Sequence, residues 1–164
     1  MSDSVTDPGI VLKATAVLTR GEGEAREVLV FLHPSVDGSG RSIQLPAGTV
    51  EDGEDPADAA VRELAEETGV IGAEVRTFLG ALEEPSFEAS PESGYSEHTA
   101  RRAQLARRRF VYHLEVTLPP PDRWTSMCDC GVEIECHWLP LASAEVHPEQ
   151  QAWLGLARDV LGGA

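Results

Sequence analysis

The chain has 164 residues, 41% of them hydrophobic, and a formal net charge of −15, a length that suffices for one sizeable core in a single domain. So acidic a chain is not built to grip a nucleic-acid backbone, and no apolar run approaches the roughly 20 residues that cross a bilayer. Met1 to Gly9 contains Asp3 and Asp7 and lacks the basic and apolar regions of a signal peptide. Residues 1–8 are therefore expected as a flexible tail, residues 9–164 as one domain, and the cytoplasm as the location.

In chain order, Ile10 to Thr19 alternates Ile10, Leu12, Ala14, Ala16 and Leu18 against Val11, Lys13, Thr15, Val17 and Thr19. After Gly21-Glu22-Gly23 the apolar run Val28 to Leu32 returns, which predicts a hairpin. A short strand, Ile43 to Leu45, leads into a Pro46-Ala47-Gly48 turn. Asp55 suits an N-cap, Pro56 the first helical position and Gly69 a left-handed terminus, predicting a helix over Pro56–Thr68. Its stripe of Ala57, Ala60, Val61, Leu64, Ala65 and Thr68 would pack on a sheet, with Glu63, Glu66 and Glu67 turned away from that core.

Val75 to Leu82 reads as a third strand, followed by a polar connection from Glu83 to about Arg102. Phe110 to Leu118 and Val132 to Pro140 alternate with the period of half-buried strands. A closing helix, Pro148 to Leu161, carries Trp153, Leu154, Ala157, Val160 and Leu161 at helical spacing. Strands around one marked helix and a terminal helix indicate an α/β domain with a mixed sheet between helices.

The chemistry concentrates on the first helix. Glu63, Glu66 and Glu67 fall within about 100° of arc, since i, i+3 and i+4 are neighbours on a helix. Like charges held that close repel unless a cation lies between them, and hard divalent cations prefer carboxylate, carbonyl and water oxygens. The turn thus reads as a metal site meant to meet a phosphate. A solvated acidic face paired with Arg62 is the plain alternative, but such a face ordinarily has no glycine turn, capping and spacing to match.

Taken together, Gly48-x5-Glu54-x7-Arg62-Glu63-Leu64-x-Glu66-Glu67-x-Gly69-Val70 resembles the Nudix box, with every defined position filled. Resemblance to the Nudix hydrolase superfamily implies a Nudix-type αβα sandwich with a mixed β-sheet and Mg²⁺ or Mn²⁺ as cofactor. It implies Glu63, Glu66 and Glu67 as metal ligands, the Gly48 carbonyl as another, and Arg62 holding the glutamates by ion pairing. Glu54 would either touch a metal or brace Arg62. The reaction implied is in-line attack of water on a phosphorus of a diphosphate, which also needs a general base from the box or from a loop. Glu133 is the first candidate outside the box, with Glu88 and Glu84 after it.

Arg101, Arg102, Arg107, Arg108 and Arg109 supply five of the 13 basic residues. They read as a solvated strand entrance or as a phosphate clamp; only Arg107 and Arg109 share a strand face, which makes those two the candidates for substrate binding. Cys128-Asp129-Cys130 and Cys136-His137 invite a zinc reading, but strand alternation sends Cys136 to the core and His137 away from it. Three free thiols are expected instead. His33, His98, His113 and His147 are isolated and receive no role.

The partner expected is a small nucleotide, with no membrane and no nucleic-acid backbone, and a homodimer is left open. Pro85 stands 15 positions after Val70, a spacing associated with ADP-ribose pyrophosphatases of this superfamily. The resemblance therefore favours an ADP-ribose-like sugar nucleotide, ahead of damaged nucleoside triphosphates and of a non-catalytic module that senses such a ligand.

Overall fold

The computed structural model describes residues 9–34, 40–85 and 105–162. Among the described residues, eight strands and two α-helices follow in the order β1 (Ile10–Arg20), β2 (Glu27–Pro34), β3 (Arg41–Gln44), β4 (Ala47–Thr49), α1 (Pro56–Thr68), β5 (Glu74–Glu84), β6 (Ala106–Glu115), β7 (Arg123–Met127), β8 (Glu133–Pro140) and α2 (Gln151–Leu161). The strands form one sheet in the order β5-β6-β1-β2-β8-β7, with β3 on β2 and β4 on β1. β1 and β6 run parallel over Ile10–Leu18, and the other pairings are antiparallel.

The predicted hairpin forms, but its strands stay together only at Thr19↔Val28 and Arg20↔Glu27. Beyond those pairs β1 and β2 part, and each would present unpaired backbone groups to the gap, a cost the fold avoids. β4 takes the free edge of β1 at Lys13–Thr15, and β3 takes that of β2 at Phe31–Pro34. The backbone N–H of Ala16 donates to the Pro46 carbonyl at 3.0 Å and that of Val50 to Leu12 at 2.9 Å. A segment read from sequence as a turn is therefore a short strand seated in a fork.

Both faces of β1 are covered, which explains its nearly continuous apolar run. Ala14, Ala16 and Leu18 share a cluster with Ala60 and Leu64 of α1. Val17 shares another with Val28, Val30 and Val111 and with Trp153, Leu154 and Ala157 of α2. The sheet lies between the two helices, an αβα sandwich.

The first helix has the predicted bounds. Asp55 accepts the Ala57 N–H at 2.8 Å, Pro56 opens the helix, and Gly69 closes it at φ 78°. Ala59 joins the expected Ala60, Leu64 and Thr68 among its buried residues. Among the described residues, no helix is long and apolar enough to cross a membrane.

Three further elements differ from expectation. β6 begins at Ala106 rather than Phe110, because β5 places Glu83 opposite Arg108 and Glu84 opposite Arg107; the arginines belong to the strand rather than its approach. β7 was not foreseen, since a five-residue edge strand with Trp124 as its main apolar anchor carries little periodicity. The last helix starts with a 3-10 turn at Pro148–Gln150 before α2 begins.

Leu64 is fully buried where α1 meets the sheet. Replacing it with Ala should lower unfolding stability by about 2–5 kcal/mol, measured by urea denaturation. An unchanged midpoint would mean that this helix does not stabilise the sheet.

Candidate active site

Gly48 lies in β4 opposite Ala14, and Glu63 projects from α1 directly against it. A Cβ built on Gly48 would overlap the Glu63 carboxyl carbon and both its oxygens. Any side chain at this position would have to displace the Glu63 carboxylate, so glycine suits it because of a close approach rather than a turn. The strand in the fork and the helix thus meet at a carboxylate.

Arg62 organises the turn. Its Nε and Nη2 bind the two oxygens of Glu54, each at 2.9 Å, in the paired geometry suited to a guanidinium. Its Nη1 donates to Glu63 at 2.8 Å and to Glu66 at 3.0 Å, and its Nη2 also donates to the Thr49 carbonyl at 3.0 Å. One side chain therefore ties α1 to the end of β4 and fixes two of the three glutamates on the helix. Glu54 braces Arg62, and that hydrogen-bonded pairing holds the Glu54 carboxyl below its usual range.

Glu67 has no such partner. Its Oε2 accepts only a long bond, 3.4 Å, from the Ala47 N–H. Burial, and then the nearby charges of Glu63, Asp129 and Glu66, push its pKa up to about 8. Glu63 is also raised, chiefly by burial, against the downward pull of Arg62. The pair is short of positive charge: oxygen donors are gathered, partly desolvated and mutually repelling, which a hard divalent cation would relieve. The donor chemistry suits Mg²⁺ or Mn²⁺, although among the described residues these carboxylates do not bring three ligand atoms within 4.8 Å of one another.

Asp129, to which sequence reading gave no role, lies near these carboxylates. It sits at the tip of the β7–β8 hairpin, where Gly131 N–H bonds the Cys128 carbonyl at 2.9 Å, and its charge reaches both Glu63 and Glu67. β7 brings the tip there, for the Trp124 indole N–H donates to the Thr68 carbonyl at the end of α1, at 2.8 Å. The only available signal was an acidic residue in a glycine-closed turn. Glu133 is exposed at the start of β8 and alternates with Ile134 and Cys136, which face the α1 cluster, so it projects from the other side of the strand.

The arginine candidates lie on the α2 face. Arg109 is buried, pairs with Glu84 at 3.0 Å, donates to Thr15 Oγ1 at 3.0 Å and stacks 3.6 Å over the Trp153 ring. Arg107 has a buried Nε without a hydrogen-bond partner. Both line a cavity of about 450 Å³ with Pro85, Glu84 and Trp153. Glu84 also accepts the Trp153 indole N–H at 2.9 Å. Glu88, Arg101, Arg102 and His98 lie outside the described residues.

The cysteine reading needs correction. Cys128 and Cys130 are joined as a disulfide across the hairpin tip, leaving Cys136 as the buried free thiol. The tight turn brings the two sulfurs together, which spacing alone does not reveal. His33 is not isolated either, since its Nε2 lies 3.5 Å from Cys130 Sγ. His113 is hydrogen-bonded to Thr19 Oγ1 in the core at 2.7 Å.

A mixed sheet between two helices, with a carboxylate-bearing helix closed against a glycine strand, defines a protein of the Nudix class. The chain belongs to that family: the NUDIX domain model matches residues 10–156. It is 34% identical over 125 residues to an RNA pyrophosphohydrolase of Brucella abortus (strain 2308), a match covering 70% of this chain and 64% of that protein. The match thus spans just under two thirds of the relative's length. Among solved structures, the fold is similar to a C. elegans Ap4A hydrolase binary complex, with TM-score 0.61, 16% identity and coverage of 92% and 97% of the two chains. It is also similar to the NUDIX domain of Shewanella oneidensis NrtR complexed with ADP ribose, with TM-score 0.60, 18% identity and coverage of 98% and 99%. At such identities these likenesses concern the fold alone.

Two outcomes follow from this geometry. Because the folded-state pKa of Glu67 is raised from 4.5 to about 8, its contribution to stability is present below the lower value and is lost as pH rises through the higher one. The melting temperature of metal-free protein in EDTA should fall across that window, less steeply in Glu67→Gln; identical profiles would contradict the assignment. Separately, Gly48→Ala should cost about 1–3 kcal/mol through overpacking, and Glu63→Ala should recover most of that loss. A urea-denaturation double-mutant cycle showing no coupling would exclude the Gly48–Glu63 contact as the cause.

Proposed function

We propose that this Nudix protein hydrolyses a phosphoanhydride bond in a nucleoside diphosphate linked to a second group. The observation that carries the reading is the Glu63–Glu67 pair, half-buried and repelling beside the glycine strand. Glu63, Glu66, Glu67 and the Gly48 carbonyl would hold Mg²⁺ or Mn²⁺. When bound, the cation polarises phosphoryl oxygens and neutralises the departing phosphate.

The chain's own residues supply the rest. Arg62 holds Glu63 and Glu66 in register, so the carboxylates need little reorganisation when substrate arrives. Water attacking phosphorus must lose a proton, and Asp129 is the loop carboxylate close enough to share the electrostatics of Glu63 and Glu67, in preference to Glu133. Arg107 lines the cavity beside Glu84 and Pro85 and is the guanidinium proposed to meet a substrate phosphate. The bonds and stacking of Arg109 engage it within the fold.

For the substrate, ADP-ribose is placed first. Pro85 has the spacing described above, and it borders a cavity in the size range of a small-molecule site. The strong negative charge also favours a small ligand over a polynucleotide. The RNA pyrophosphohydrolase name of the Brucella relative favours a second reading, in which the anhydride lies at an RNA end. Cytoplasmic location belongs to the same proposal.

A panel of nucleotide derivatives and RNA bearing a 5′-triphosphate, each with Mg²⁺, Mn²⁺ or EDTA, tests these readings by product mass. ADP-ribose should yield AMP and ribose 5-phosphate, in a metal-dependent reaction. Glu67→Gln should cut turnover by about 100-fold or more while the protein stays folded. A folded Glu67→Gln protein with near wild-type turnover removes the carboxylates from the mechanism. A kcat/KM at least about tenfold higher for the RNA, worth about 1.4 kcal/mol, would reverse the substrate ranking.

A further inference from the structure

We propose a second metal site, separate from the carboxylate turn and of different chemistry: His33, Cys128 and Cys130 bind a thiophilic divalent cation, Zn²⁺, once the two cysteines are reduced. Their ligand atoms, one from each residue, all lie within 4.8 Å of one another. His33 comes from the end of β2, and the cysteines flank Asp129 at the β7–β8 hairpin tip. The site is assembled by the fold rather than by one local motif.

The state of the imidazole is an independent indication. His33 Nδ1 lies 2.7 Å from the Pro34 carbonyl oxygen, which can only accept, so Nδ1 carries the hydrogen. In the neutral ring Nε2 is then bare, and it is this nitrogen that lies 3.5 Å from Cys130 Sγ. A carbonyl holding one ring nitrogen so that the other can ligate is the usual support for a metal-bound histidine. Ligands bound tetrahedrally to zinc by sulfur and nitrogen are themselves about 3.5 Å apart.

The ligand set selects the ion. Two thiolates and an imidazole suit zinc and are poor ligands for Mg²⁺, whereas the glutamates suit Mg²⁺. Cys128 is buried, His33 half-buried and Cys130 exposed, so a fourth position would open toward solvent on the Cys130 side. The cysteines are separated by one residue, closer than the usual spacing of zinc cysteine pairs, and His33 supplies the third donor from another strand.

The disulfide and the metal exclude each other. An external dithiol breaks the Cys128–Cys130 bond, each sulfur gains one electron and one proton, and the dithiol becomes a disulfide. Zn²⁺ then replaces the two thiol protons, which leave to solvent.

The test uses the full chain, reduced with a dithiol, freed of it under nitrogen and titrated with Co²⁺ as a spectroscopic probe. A thiolate-to-cobalt charge-transfer absorption should saturate at one ion per chain and disappear when Zn²⁺ is added. Cys130→Ser should abolish it, and His33→Gln should weaken Co²⁺ binding by roughly 10- to 100-fold or more. Neither residue lies in the core, and circular dichroism checks that both variants fold. Protein with Glu63, Glu66 and Glu67 all changed to Gln should keep the full signal, which separates this site from the carboxylate turn. No charge-transfer band in reduced protein, a band surviving Cys130→Ser, or unchanged affinity in His33→Gln would each overturn the proposal.

Discussion

A single guanidinium makes the acidic turn of α1 tenable. Arg62 binds Glu54 through both its oxygens and reaches Glu63, Glu66 and the Thr49 carbonyl. Without it, carboxylates at i, i+3 and i+4 would repel one another across a partly desolvated groove. With it, two glutamates are satisfied while Glu67 is left unpaired and electrostatically raised. This incomplete neutralisation sets the turn apart from a surface ion-pair network in which every charge is already matched.

The groove depends in turn on how the sheet divides. β1 and β2 separate after two paired positions, and β4 seats itself in the opening with Gly48 facing the helix. Helix and strand approach so closely that the glycine's missing side chain is the space Glu63 occupies. Packing and chemistry are not on fully separate faces of α1: Leu64 anchors the helix, while Glu63 and Glu67 lie at the edge of the same contact, half withdrawn from water. Their perturbed protonation is a consequence of that placement.

Across the groove, the β7–β8 hairpin carries Asp129 toward the carboxylates and Cys130 toward His33. One short loop thereby faces two groups of donors, one of hard oxygens and the other of sulfur and nitrogen. The bond from the Trp124 indole to the end of α1 sets the position of this loop, so an edge strand with little periodicity of its own has a direct bearing on the site.

What the sequence determined by itself was local. The bounds of α1, its caps, the shared face of Glu63, Glu66 and Glu67 and the role open to Arg62 all follow from rules acting over one to four residues, and alternation located most of the strands and the mixed sheet. Tertiary structure decided the rest. β4 became a strand because a partner edge opened beside it, the arginines of β6 entered the sheet because Glu83 and Glu84 stood opposite, and Asp129 rather than Glu133 came to the carboxylates because strand parity turned one of them away. His33 and Cys130 meet across 97 positions of chain, a juxtaposition that leaves no trace in local spacing because it arises only when separate strands pair.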